Sequence, residues 1–191
     1  FIVAGGSWRD VGLMILSGII LLTILTMTRP YIMDRLTTFL DPSDDPQGKS
    51  YQIQQSLIAI GSGGFAGRGF GQSIQKFEYL PEPIGDSVFA VYSEEFGFLG
   101  STFLIGLFSF FTFRGYKIAS HAKDLFGMLL VVGIMTMIVI QAFLNIAAML
   151  SLAPLMGLPL PFVSHGGTAL LTTLTAVGIV LNVSKYQKKI K

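Results

Sequence analysis

Apolar residues in this chain are gathered into long blocks that no charge interrupts, instead of recurring on one face at a helix or strand period. Residues 11–28 are 18 positions without a charged side chain, and residues 96–113 are another 18. Residues 125–184 are 60 positions free of Asp, Glu, Lys and Arg, where one helix needs roughly 20 to cross hydrocarbon. Two crossings therefore share that run. Pro154, Gly157, Pro159 and Pro161 mark the turn between them, because proline removes a helical donor and turns its predecessor away from helix. The pattern predicts an all-α integral membrane protein with spans near 11–28, 88–113, 125–152 and 166–184, joined after the first span by a large outer loop near 29–87.

Composition strengthens that reading and removes others. Of 191 residues, 51% are hydrophobic and 13% charged, about half the charged share of an ordinary soluble chain. So few charges cannot cover four apolar helices in water, which excludes a soluble helical domain. A net charge of +2 provides no polycationic surface for nucleic-acid phosphates, so nucleic acid is not an expected partner. Cysteine is absent, which removes disulfides, thiolate metal sites and thiol nucleophiles together. The chain opens on Phe1, as a piece of a longer protein would, and its start lacks a signal-peptide pattern.

The distribution of charge orients the spans. Arg9 precedes the first; Arg114, Lys117 and Lys123 lie between the second and third; Lys185, Lys188, Lys189 and Lys191 close the chain. Short basic flanks of this kind stay in the cytoplasm, so both ends of this chain are expected there. Residues 29–87 carry five basic and seven acidic side chains, and the turn at 153–165 carries no Lys or Arg. Both are expected on the extracytoplasmic face.

The outer loop holds the candidate chemistry. Its acidic turn at 41–46 reads as a solvated loop. The mixture of Gln52, Gln54 and Gln55 with Ile53, Leu57, Ile58 and Ile60 predicts a helix lying in the bilayer interface. Six glycines then fall within residues 61–71; they allow backbone to bend sharply or come close to a ligand. Gly61, Gly63 and Ala66 fit a loose dinucleotide fingerprint but lack its strand-turn-helix context, so that reading is rejected. Asp86 follows Pro81, Pro83 and Gly85 at the mouth of the second span. A partly desolvated carboxylate there suits a general base; an aspartate just before a helix more commonly serves as an N-cap, a job Ser87 would also fill.

Two carboxylates lie deeper. Glu94 and Glu95 are eight and nine residues past Asp86, about 12–13 Å along a helix. Their burial requires cationic partners, expected from a span outside this chain, or a wet cavity. At the other outer turn, Ser164 or Thr168 is expected to cap the last span, with amides at Gly166 and Gly167 open to a phosphate. His165 and His121 fall on opposite faces, so no two-histidine metal site is expected. Gln141 and Asn145, four apart, are expected to hydrogen-bond between helices.

Residues 61–86, which include Gln75-Lys76-Phe77-Glu78-Tyr79-Leu80-Pro81-Glu82, together with residues 89–100 and 159–167, resemble in order and spacing the SEDS family of cell-wall polymerases, FtsW and RodA. The wording of residues 75–82 is nearer the FtsW branch. The resemblance implies the last four spans of a ten-helix fold in the bacterial cytoplasmic membrane. It implies a peptidoglycan glycosyltransferase that polymerises lipid II at the outer face, working with a class B penicillin-binding protein and other membrane proteins of division or elongation. The family's catalytic aspartate falls on Asp86. Ile84-Gly85 stands where His-Thr is frequent, and His165 where Tyr is frequent.

The expected reaction inverts the anomeric carbon: Asp86 takes the proton of an acceptor 4-hydroxyl, and undecaprenyl pyrophosphate departs. Arg68 and Lys76 are the expected cations for that diphosphate, aided by Ser164, Gly166 and Gly167 or by a divalent ion, with Glu82 on an acceptor hydroxyl. A lipid-precursor transporter, with Glu94 and Glu95 in its polar path, and a non-catalytic division scaffold are the alternative readings.

Overall fold

A computed structural model of the chain describes residues 2–40 and 50–186. The acidic turn at 41–46 and the terminal Lys188, Lys189 and Lys191 lie outside the described residues. After a short turn at Ile2–Ala4 come α1 (Trp8–Thr28), α2 (Pro30–Leu40), α3 (Tyr51–Ser62), α4 (Gln75–Glu78), α5 (Val88–Ser120), α6 (Leu125–Met149) and α7 (Gly167–Lys185). Among these, α1, α5, α6 and α7 are long and apolar enough to cross a membrane.

Helix ends follow local chemistry. Ser7 caps α1 by accepting from the Asp10 amide, and Asp124 caps α6 by accepting from the Gly127 amide at 2.9 Å, as short polar side chains do at helix starts. α5 runs seven residues beyond the expected 113. Arg114 and Lys117 do not break a helix, and Lys117 in the last turn meets the partial negative charge of the terminal carbonyls. α6 stops at Met149, short of 152, where Ser151 takes a left-handed φ of 57°.

α6 is the centre of the bundle, packed between α5 and α7. At one end Phe89, Leu104 and Phe108 of α5 meet Ala142, Ile146 and Met149 of α6, with Leu160 of the following turn. At the other, Ala119, Val131, Met135 and Val180 close a second cluster. Among the described residues α1 buries none of its own and packs chiefly on α2. A helix apolar on every side needs lipid or other spans around it. α3 turns one face to the bundle: Ile53, Ser56 and Ala59, at helical spacing, are buried against α5 and α6, while Leu57 and Ile58 stay exposed.

The glycine-rich segment explains how α5 is built. At Gly97 the helix breaks, with φ 64° and ψ −161°, a conformation that carries a Cβ only at a cost. An unbroken helix would bond the Phe98 and Leu99 amides to the Glu94 and Glu95 carbonyls. Instead those amides donate to the Gly64 and Phe65 carbonyls at 2.9 and 3.1 Å. The vacated Glu94 and Glu95 carbonyls accept from the Arg68 and Gly69 amides at 3.0 and 2.9 Å. Residues 64–69 thus splice into the break and satisfy these four groups, as backbone at membrane depth requires. The approach leaves no room for side chains: a Cβ on Gly97 would stand 2.3 Å from the Gly67 nitrogen, and one on Gly67 2.2 Å from the Glu95 carbonyl oxygen.

Candidate functional site

The loop carrying Asp86 is pinned on three sides. Below it, Ser87 is fully buried; its hydroxyl donates to the Pro81 carbonyl at 2.9 Å and accepts from Gln52 Nε2 of α3 at 3.0 Å. From the far turn, Ser164 Oγ donates to the Gly85 carbonyl at 2.6 Å, and the His165 amide to the Ile84 carbonyl at 2.8 Å. From α6, buried Asn145 donates through Nδ2 to the Asp86 and Leu158 carbonyls, both at 2.7 Å. Gln141, one turn earlier, donates to the Pro159 carbonyl at 2.8 Å. The expected helix-to-helix bonds of Gln141 and Asn145 are therefore helix-to-loop bonds, because the connections dip beside α6 and carry carbonyls that α6 can reach.

With its backbone held, the Asp86 side chain is spared from capping: Ser87 occupies the N-cap of α5, with no side-chain cap bond. The half-buried carboxylate receives a long bond from Gln52 Nε2 at 3.4 Å. It borders a cavity of about 290 Å³ lined by Tyr31, Arg35, Thr38, Gln52, Ile53, Leu155 and Gly157. Burial pushes the Asp86 carboxyl above its ordinary value of 3.8, and nearby Glu82 pushes the same way, while its own backbone amide, Gln52 and the Arg35 cation pull it down. Arg35 projects from α2, donates to the Leu155 carbonyl and the Tyr31 hydroxyl, and lies over the Tyr31 ring, 4.6 Å from its centroid.

The other residues singled out in the sequence separate into groups. Glu82, at a left-handed φ of 48°, accepts the Gly85 and Ser87 amides on its carbonyl at 3.0 and 3.3 Å and stays beside Asp86. Arg68 and Lys76 do not line the cavity. Arg68 Nε lies 3.3 Å from Glu94 Oε1 and Lys76 Nζ 2.6 Å from Glu95 Oε1. Glu94, fully buried, also accepts from Ser73 Oγ at 2.6 Å and from the Ile74 and Gln75 amides at 3.1 and 3.3 Å. The expected partners from a span outside the chain are thus Arg68 and Lys76 of its own outer segment, because the splice at Gly97 carries that segment against α5. Ser164 does not cap α7: Gly166 is its N-cap, without a side-chain bond, and Ser164 Oγ accepts the Leu160 amide at 2.7 Å while holding Gly85. Among the described residues no three carboxylate, imidazole or thiol side chains converge as a metal site.

The profile of the FtsW, RodA and SpoVE cell cycle proteins matches residues 1–189. The chain belongs to that family. Among this FtsW/RodA/SpoVE chain's relatives, stage V sporulation protein E of Bacillus subtilis (strain 168) is 49% identical over 164 residues, 86% of this chain and 45% of the relative. A probable peptidoglycan glycosyltransferase FtsW of Thioalkalivibrio sp. (strain K90mix) is 48% identical over 157 residues, 81% of this chain and 39% of the relative. A solved structure described as a peptidoglycan synthase complex that coordinates polymerization and crosslinking matches with a TM-score of 0.71 and 29% identity, over 93% of this chain and 49% of that one. A crystal structure of a Thermus thermophilus rod shape determining protein RodA mutant matches with a TM-score of 0.54 and 31% identity, over 71% of this chain and 41% of that one. The chain spans less than half the length of each of these relatives. Like the family, it is a multi-pass membrane protein.

Arg35, Tyr31 and Thr38 were not among the residues marked in the sequence. The available signal was slight: Tyr31 and Arg35 are four apart directly after Pro30, a helix-starting proline followed by a pair that shares one face.

Proposed function

We propose that the protein to which this chain belongs is a peptidoglycan glycosyltransferase that joins lipid-linked disaccharide units at the outer face of the bacterial cytoplasmic membrane, with Asp86 as its general base. The observation that carries the reading is the Asp86 carboxylate, spared from capping α5, on the wall of a mixed polar and apolar cavity, its backbone fixed from three elements. A base must hold a defined position to take a proton in the transition state, and the ties from Asn145, Ser164 and the His165 amide provide that. An acceptor hydroxyl beside Asp86 loses its proton as its oxygen attacks the donor's anomeric carbon from the face opposite the diphosphate. The carbon–oxygen bond to the diphosphate breaks, so one displacement inverts the centre. Apolar Ile53 and Leu155 in the same wall suit the lipid-bearing end of such a donor. Glu82 does not line the cavity and is assigned no contact with substrate; no step is routed through a metal.

Both chain ends are read as cytoplasmic and the Asp86 cavity as external, from the lysine and arginine flanks. The partner is read as a crosslinking enzyme of the penicillin-binding class, from the synthase complex that this chain resembles. Glu94 and Glu95 are occupied by Arg68 and Lys76, so they give a transporter no support. Asp86→Asn and Asp86→Ala in the complete gene product are expected to lower glycan polymer formation from purified lipid II by about 10²–10⁴-fold, the usual worth of a positioned base. Membrane levels and melting temperature should stay as in the parent. Near-normal polymer from the purified variants would overturn the assignment.

A further inference from the structure

The proposed transfer expels a diphosphate, and the cations first expected to meet it, Arg68 and Lys76, are held by Glu94 and Glu95. The guanidinium that lines the Asp86 cavity is Arg35. Its bonds to the Leu155 carbonyl and Tyr31 hydroxyl, and its seat over the Tyr31 ring, fix the plane of the fork. A guanidinium has five N–H donors, so two such bonds do not exhaust it, and its fork matches phosphate oxygens. Tyr31, Thr38 and Gln52 add neutral polar groups around it. A cavity of about 290 Å³ has room for a diphosphate and not for a long lipid tail, which must lie outside it.

We propose that Arg35, framed by Tyr31, Thr38 and Gln52, is the diphosphate subsite of this cavity, that it takes the diphosphate of a lipid-linked sugar donor, and that this one guanidinium couples donor binding to the base. The inference rests on the glycosyl-transfer reading above. Among the described residues the charges that act on Asp86 are Glu82 of its own loop and Arg35 of α2. Tyr31 is the further titratable group in the lining. From α3 come neutral Gln52 and Ile53, and from α6 and the following turn Asn145, Leu155 and Gly157. With the subsite empty, Arg35 favours the ionised carboxylate and makes Asp86 a weaker base. A diphosphate on Arg35 cancels that cation and adds negative charge, so Asp86 then holds a proton more tightly. The proton of the attacking hydroxyl goes to Asp86. The electron pair of the breaking carbon–oxygen bond goes to the diphosphate oxygen beside Arg35.

The test uses the complete gene product in vesicles with lipid II as substrate, comparing the parent with Arg35→Lys, Arg35→Gln and Asp86→Asn. Arg35→Gln is expected to raise KM and the inhibition constant of undecaprenyl pyrophosphate about 10- to 100-fold, the loss of a charge-assisted bond. Arg35→Lys should recover part of both, and Asp86→Asn should keep inhibitor binding while making no polymer. Because kcat/KM reports the free enzyme and kcat the complex, the acid limb of kcat in the parent should lie at higher pH than that of kcat/KM. In Arg35→Gln the acid limb of kcat/KM should rise toward that of kcat, because the free enzyme has lost the cation that favours the ionised carboxylate. Inorganic pyrophosphate should inhibit the parent more weakly than the lipid-linked form and lose its effect in Arg35→Gln. An Arg35→Gln variant with parental KM and inhibition by both diphosphates would overturn the subsite. Coincident limbs in the parent would overturn the coupling, whether or not Arg35→Gln folds. Normal polymer from Asp86→Asn would instead sink the underlying reading.

Discussion

Asp86 differs from an ordinary helix-flanking aspartate because the groups around it fix its main chain while its carboxylate, touched by one long bond from Gln52, caps no helix. Ser87 takes the cap position, and Asn145 takes the Asp86 carbonyl. The sign of the pH response follows. Burial raises the Asp86 carboxyl above 3.8; in the proposed role a base works ionised, so activity is expected to be lost as pH falls through that raised value, with the acid limb displaced upward from where an exposed aspartate would put it. Gln52 pulls in the opposite direction by donating to the ionised form. Gln52→Leu is therefore expected to move the acid limb of the polymerisation rate to higher pH. A pH–rate profile of the purified variant checks this, and a shift to lower pH would contradict the arrangement. Asp86 and its alternative as a cap were both legible from Pro81, Pro83 and Gly85 before an apolar run. That the Asp86 side chain does not cap α5 depended on contacts from residues 52, 145 and 164, which sequence order cannot place.

At the scale of elements, the splice between residues 64–69 and the break in α5 organises the outer side of the bundle. It makes Gly67 and Gly97 sites where any side chain collides with backbone, and it brings Arg68 and Lys76 to Glu94 and Glu95. Backbone cannot yield as a flexible side chain can. Gly97→Ala, which adds strain at a positive φ to that collision, is expected to cost at least about 2–4 kcal/mol. It should appear as a lower melting temperature and loss of protein from membranes. Gly61→Ala, where a Cβ would meet nothing within 4 Å, is the control and should behave as the parent. The glycine cluster was visible in the sequence as a place of close approach, but its partner was not. Six glycines admit many approaches, and the sequence carries no mark at Glu94 and Glu95 that their carbonyls are free.

For the whole molecule, the topology makes a direct prediction. The chain contains no cysteine, so single cysteines introduced within it report their own side. Gln72→Cys on the outer segment and Ser120→Cys at the end of α5 are both exposed positions. In intact spheroplasts of cells making the complete gene product freed of other cysteines, an impermeant maleimide is expected to label Gln72→Cys and spare Ser120→Cys. The reverse pattern would place the Asp86 cavity on the cytoplasmic face and end the assignment. The four spans were determined by the sequence alone, because crossing hydrocarbon demands about 20 apolar residues with their backbone bonds closed internally, and such runs are written in consecutive positions. The family blocks were legible for the same reason, as local words in a fixed order. Only the tertiary structure decided that Arg35 rather than Arg68 or Lys76 faces Asp86, that Ser164 ties loops together instead of capping α7, and that α3 packs into the bundle. Charge pairing and hydrogen bonding act across a few ångströms of space, and residues 34 to 120 positions apart become neighbours only when the helices pack.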